Sequence, residues 1–155
     1  MKKLEIYLDT SVISHLFAND TPEKMQDTHL FWDDLLKDEY KIFLSQLVLD
    51  EIGNCPEPKR SNLLSKLREL NFSILTESNE VEKLAYEYVE SGVLRKKSLD
   101  DCFHIAYAVL NNCDVIVSWN FKHLVNYRTI DKIKIVNAIK GYKEISIVSP
   151  SMLLM

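Results

Sequence analysis

Residues Leu4 to Val12 read LEIYLDTSV, and this stretch decides the fold. Leu4, Ile6 and Leu8, with Tyr7 among them, make a short strand-favouring run that stops at Asp9-Thr10-Ser11. Asp, Thr and Ser are poor in strands and good at helix starts, where their side-chain oxygens accept from the free amides of a first turn. The stretch therefore reads as a buried strand delivering one carboxylate and two hydroxyls to its C-terminal end, with a helix beginning at once. In an open α/β sheet, ligands bind at that edge. Alone, Asp9 is explained as the N-cap of a helix over Val12 to Phe17. A further role requires other acids to converge on the same edge.

Outward from this stretch, strands and helices alternate. Val12 to Ala18 is a short helix and Asn19 to Pro22 a turn. Pro22 at a first helical position, capped by Thr21, starts a helix to about Glu39 with Met25, Phe31, Trp32, Leu35 and Leu36 as its apolar stripe. Lys41 to Ser45 is a second strand, Gln46 to Gly53 a short helix, and Pro58 to Leu70 a further helix with Leu at helical spacing. Phe72 to Thr76 is a third strand. Ser78 caps a helix that Gly92 ends. Val93 to Lys97 is a linker, Ser98 to Asn112 a largely apolar helix, and Asp114 to Ser118 a fourth strand whose Val-Ile-Val run suggests burial on both faces. Trp119 to Tyr127 is loop and short helix, Asp131 to Tyr142 is weakly helical, and Ser146 to Val148 is a last strand. This alternation implies an α/β fold: a three-layer α/β/α sandwich with a small central parallel sheet and right-handed crossovers.

The chain has 155 residues, 46% of them hydrophobic, which suits one domain over residues 1–155. Nineteen Lys and Arg against 23 Asp and Glu leave a net charge of −4, so a generic nucleic-acid binder is excluded. A polyanion would have to be held by a local basic patch or by metal ions. Cys55, Cys102 and Cys113 are odd in number and lack CxxC spacing, which argues for reduced thiols rather than a disulfide framework or a zinc site. Glu5 and Asp9 interrupt the apolar region that a signal peptide needs, and no apolar run approaches the ~20 residues of a membrane span. A soluble cytoplasmic protein is expected.

Acids on solvated helix faces carry little information, whereas acids on apolar stripes need a reason, because burying a charge is costly. Glu51 lies four residues after Leu47 and three after Val48, on the inward stripe of its helix; Asp50 points about 100° away. A carboxylate at that boundary can also snorkel to water. Asp101 precedes Ile105 by four on an almost wholly apolar helix, while Ser98-x-x-Asp101 has the spacing of a capping box that would employ it locally. Ser118 stands at the end of strand four as Thr10 and Ser11 stand at the end of strand one, followed by Trp119 and Asn120. Asp9, Glu51 and Asp101 thus come from strand or helix starts on one edge, with Asn120 beside them. Three carboxylates at close range cannot all stay ionised without a cation, and hard oxygen ligands suit Mg²⁺ or Mn²⁺.

In order and spacing, LDTSV, SQLVLDEI, DCFHIAYA and SWNFKHL resemble the motifs of PIN-domain nucleases, especially the VapC-like toxins of prokaryotic toxin–antitoxin systems. The resemblance runs from Leu4 to about Val148. It implies metal-assisted hydrolysis of RNA phosphodiesters, with Asp9, Glu51 and Asp101 as catalytic metal-binding acids and Ser11 and Ser118 as supporting oxygens. Asn120, counted with the catalytic residues, stands where the family usually has a fourth acid; it lowers the site's charge and leaves open whether one metal or two is held, while its amide oxygen can hold a metal-bound water. The resemblance also implies a cognate antitoxin protein covering the acidic edge, and the apolar early helices permit a homodimer.

Arg95, Lys96, Lys97 and Lys122 are placed to meet RNA phosphates, as is His123, although each reads equally well as solubilising charge. Trp119 reads as a core residue before a base-stacking one. His104 follows Asp101 by three; it could reach the same site but reads first as a core-boundary histidine bonded within the fold. Phosphotransferases of the haloacid dehalogenase type need a second Asp where Ser11 stands, and a receiver domain needs a paired-acid cluster and a Lys after a later strand, for which Lys122 is a poor candidate. The competing function is a non-catalytic PIN-like RNA-binding or regulatory module.

Overall fold

The computed structural model describes residues 2–154. Within them, β1 (Leu4–Leu8), β2 (Tyr40–Ser45), β3 (Phe72–Leu75), β4 (Val115–Val117) and β5 (Ser146–Val148) form one sheet in the order β3-β2-β1-β4-β5. Every neighbouring pair is parallel; Ile6 pairs with Ile42 on one side and Val115 on the other. The chain builds outward from β1 to β3, then crosses back to lay β4 against the opposite edge of β1. That reversal opens a crevice beyond the C-terminal ends of β1 and β4, where open α/β sheets bind ligands.

Helices cover both faces: α1 (Thr10–Ser14), α2 (Pro22–Leu36), α3 (Gln46–Gly53), α4 (Lys59–Leu67), α5 (Asn79–Glu90), α6 (Leu99–Leu110) and α7 (Tyr127–Lys140). The layered α/β/α arrangement expected from the alternation is the one observed. Ile6, Tyr7 and Leu8 of β1 and all three residues of β4 are buried, as parallel strands roofed on both faces must be. Around them Phe31, Trp32, Ile52, Leu63, Leu84 and Ile105 complete one continuous core. No helix is long and apolar enough to cross a membrane among the described residues.

Several expected boundaries move, each for a local reason. Thr21 does not cap α2; its hydroxyl donates back to the Ala18 carbonyl. α2 stops at Leu36 and α4 at Leu67, short of the expected Glu39 and Leu70. Lys96–Ser98 is a 3-10 turn that takes the end of the expected linker and the expected first helical residue, and α6 begins at Leu99. α7 begins at Tyr127 instead of Asp131, because the Asn126 side chain accepts from the Arg128 amide and caps it. It ends at Gly141, whose φ of +77° supplies the left-handed turn that closes a helix.

Ile116 at 0% exposure and Ile139 at 81% bracket the energetic range of this architecture. Ile116→Ala, in the strand beside β1, should lower unfolding free energy by about 2–5 kcal/mol in urea titrations. Ile139→Ala should change it by less than about 0.5 kcal/mol.

Candidate active site

Asp9 lies one residue past the end of β1 and is only 4% exposed. Burial holds its carboxyl above the ordinary value, and the nearby His104 and the hydroxyls of Ser11 and Ser118 offset part of that effect. The same residue caps α1. Its Oδ1 accepts from the Ser11 amide at 3.1 Å and from Ser11 Oγ at 2.5 Å, and its Oδ2 accepts from Ser118 Oγ at 2.6 Å. Ser11 and Ser118 descend from adjacent strand ends, so the two hydroxyls clasp one carboxylate across the β1–β4 split. Their oxygens also accept from the next strand's loop: Trp119 N donates to Ser11 Oγ at 2.8 Å and Asn120 N to Ser118 Oγ at 2.9 Å.

Glu51 reaches the same edge from α3, a helix started by Ser45, whose Oγ accepts from the Val48 amide. Its Oε1 accepts from Thr10 Oγ1 at 2.8 Å and lies 2.8 Å from His104 Nε2. Thr10 is therefore committed to Glu51, not to helix capping. Partial burial would raise the Glu51 carboxyl, but the hydrogen bond and charge of His104, together with the Thr10 hydroxyl, outweigh it and hold it below the ordinary value.

Asp101 sits in the first turn of α6. Ser98 makes no capping hydrogen bond there, so the capping box suggested by the spacing does not form. Asp101 Oδ1 instead accepts from Asn120 Nδ2 at 3.3 Å, and its Oδ2 lies 2.9 Å from His123 Nδ1. Burial raises this carboxyl too, with His104 and His123 pulling the other way. Asn120 Oδ1 accepts from the His123 amide at 2.9 Å, which fixes the amide that faces Asp101.

Asp9, Ser11, Ser118, Asn120 and Asp101 thus form one unbroken hydrogen-bonded set; Glu51 belongs to a second one with Thr10, the residue next to Asp9, and His104. Arg95, Lys96, Lys97 and Lys122 stay outside this set, exposed along an adjoining groove. Trp119 is a core residue, 6% exposed, with its indole N–H donating to Thr28 Oγ1 at 2.8 Å. Among the described residues, no three His, Cys, Asp or Glu side chains stand close enough to enclose a metal ion by themselves.

Sequence reasoning undervalued two groups. His104 is both a core histidine and a partner of the site: its Nδ1 lies 2.6 Å from the Tyr7 hydroxyl, which lies 2.7 Å from Ser45 Oγ. Tyr7 was readable only as a strand former, although a buried Tyr hydroxyl usually finds a partner. His123 was read as a phosphate contact and is instead bonded to Asp101. The chain Ser45–Tyr7–His104–Glu51 is buried except at its last member.

The PIN domain family profile matches residues 6–122. Among curated proteins none matches the sequence significantly. A chain of VapBC2 from Rickettsia felis, solved bound to a DNA fragment from their promoter, superimposes with a TM-score of 0.59 at 17% identity, covering 94% of this chain and 98% of that one. VapC20 of Mycobacterium tuberculosis, described as a Sarcin-Ricin loop cleaving toxin, superimposes with a TM-score of 0.57 at 13% identity over 90% of this chain and 98% of its own. At such identities the likeness is one of fold.

Removing the Tyr7 hydroxyl leaves buried polar atoms without a partner. Tyr7→Phe should therefore destabilise the protein by about 1–3 kcal/mol. In a double-mutant cycle with His104→Ala, the two changes should be non-additive by more than about 0.5 kcal/mol, measured by urea unfolding.

Proposed function

The chain belongs to the PIN domain family, and from that premise we propose that it is a metal-dependent endoribonuclease and the toxin of a toxin–antitoxin pair. The observation that carries the reading is that Asp9 and Asp101 belong to one hydrogen-bonded set at the C-terminal ends of β1 and β4, with Glu51 of α3 bonded to Thr10, the residue next to Asp9. The fold is the one shared with a chain of VapBC2 and with VapC20, described as a Sarcin-Ricin loop cleaving toxin, and the reading agrees with those descriptions.

The donor set fits a hard divalent cation. Its charged groups are all carboxylates, backed by hydroxyls and an amide, and Asp9 and Asp101 carry negative charge that burial leaves poorly compensated. Mg²⁺ or Mn²⁺ held by one or two carboxylates and several waters suits acids that share an edge without closing into a cage. When bound, the ion supplies Lewis acidity to a phosphoryl oxygen and lowers the pKa of water.

The chain's own residues supply orientation. Ser11 and Ser118 occupy both oxygens of Asp9 and fix its plane. Thr10 and His104 both bond Oε1 of Glu51, and Oε2 takes no hydrogen bond among the described residues. Asn120 and His123 hold Asp101, so Asn120 acts as a positioning amide where a fourth carboxylate would repel Asp101.

The purified protein should cleave structured RNA with Mg²⁺ or Mn²⁺ and stop on addition of EDTA. Asp101→Asn and Glu51→Gln should each lower the rate by at least about a hundredfold. Their melting temperatures should stay within a few degrees of the parent, about what a change below 1 kcal/mol produces. Binding without cleavage, across both metals and a panel of RNAs, would overturn the nuclease and leave the non-catalytic module. For the partner, co-expression with the short open reading frame beside the gene should yield a co-purifying complex that suppresses cleavage; no such neighbour would indicate a solitary nuclease.

A further inference from the structure

Next to Asp101 a groove of about 920 Å³ runs between the α5–α6 connection and the start of α7. Its walls carry Arg95, Lys96 and Lys97 on one side and Lys122, Arg128 and Lys132 on the other, all exposed, and no Asp or Glu lines it. The Lys132 ammonium donates to the Gly92 carbonyl at 3.0 Å and ties the two walls together. His123 lines the groove while bonded to Asp101, so the groove opens directly onto the acids.

Elsewhere on this net-acidic surface most cations stand beside a carboxylate. Among the described residues, nine of the 19 Lys and Arg stand within 4.0 Å of a carboxylate and ten do not; six of these ten line this one groove. Six unpaired cations in one channel repel one another, a cost offset when a polyanion lies between them. Immediately beyond Asn126 on the rim, Tyr127 is 81% exposed and presents its ring to solvent. Cations that track a backbone beside an aromatic platform are the pattern of single-strand binding, since unpaired bases can stack while duplex bases cannot.

We propose that this groove holds the sugar–phosphate backbone of a single-stranded RNA and leads it to Asp101, with a base stacked on Tyr127. That the strand is RNA rests on the nuclease reading; that its phosphates are bound does not.

The test is fluorescence anisotropy with labelled single-stranded oligonucleotides in EDTA, so that binding is read without turnover and a failed nuclease reading would leave the result standing. Arg95→Ala/Lys122→Ala/Arg128→Ala should weaken binding at least about tenfold. It should also flatten the log–log salt slope by about 2, since each neutralised phosphate of a single strand contributes about 0.7. A control triple change at unpaired cations elsewhere, Lys59→Ala/Arg68→Ala/Lys83→Ala, should leave both nearly unchanged. Tyr127→Ala should weaken single-stranded RNA about fivefold or more and leave a blunt RNA duplex unaffected. Equal losses in the groove and control variants would overturn the site. A tenfold preference for DNA of the same sequence would overturn the RNA assignment. Displacement by polyglutamate as efficiently as by RNA, charge for charge, would assign the groove to acidic proteins and overturn the proposal.

Discussion

A carboxylate removed from water has to be solvated by the protein, and Asp9 is where this constraint falls hardest. Its two oxygens take three hydrogen bonds from Ser11 and Ser118, and those serines in turn receive the amides of Trp119 and Asn120. Two strand ends and the loop after β4 are thereby fastened to one side chain. In a low-dielectric setting such a network is stabilising only when every member is satisfied. It fastens the loop after β4 beside the ladder that pairs β4 with β1, and the same loop brings the Asn120 amide to Asp101.

The histidines solve the same problem for the other acids. His104 is held by Tyr7 from behind and meets Glu51 in front, while His123 meets Asp101. Imidazoles beside carboxylates temper the negative charge of the crevice without neutralising it, since burial still raises Asp9 and Asp101. The acids and the unpaired cations of the neighbouring groove thus divide one face of the molecule into a negative crevice and a positive approach. A net charge of −4 conceals that division, because it sums over both.

Much of the fold was legible in order of residues. The apolar runs ending in Asp9, Ser45 and Ser118 marked three strands whose C-terminal ends meet at the sheet's edge, and Ser78 announced a helix that forms as expected. Misreadings came where a side chain had two possible employers. Thr21 and Ser98 have the chemistry of caps and do not cap; Thr10 was assigned to capping and serves Glu51 instead. Asn126, passed over inside a loop, caps α7. Local propensity cannot choose between a hydrogen bond to the next turn and one to a residue forty positions away.

The sequence by itself determined the alternation of strands and helices, the parallel sheet it implies, and the presence of three acids where solvated charge had no evident reason to be, Asp9 and Asp101 at element starts and Glu51 late in α3. Those are consequences of periodicity and of the cost of burying charge, which act over a few residues. Tertiary structure alone decided that β4 lies beside β1, that Ser118 and Ser11 share one carboxylate, that His104 and His123 each meet an acid, and that six cations from two separate segments line one groove. Each of these depends on contacts across tens of residues, where geometry set by packing decides which polar groups meet.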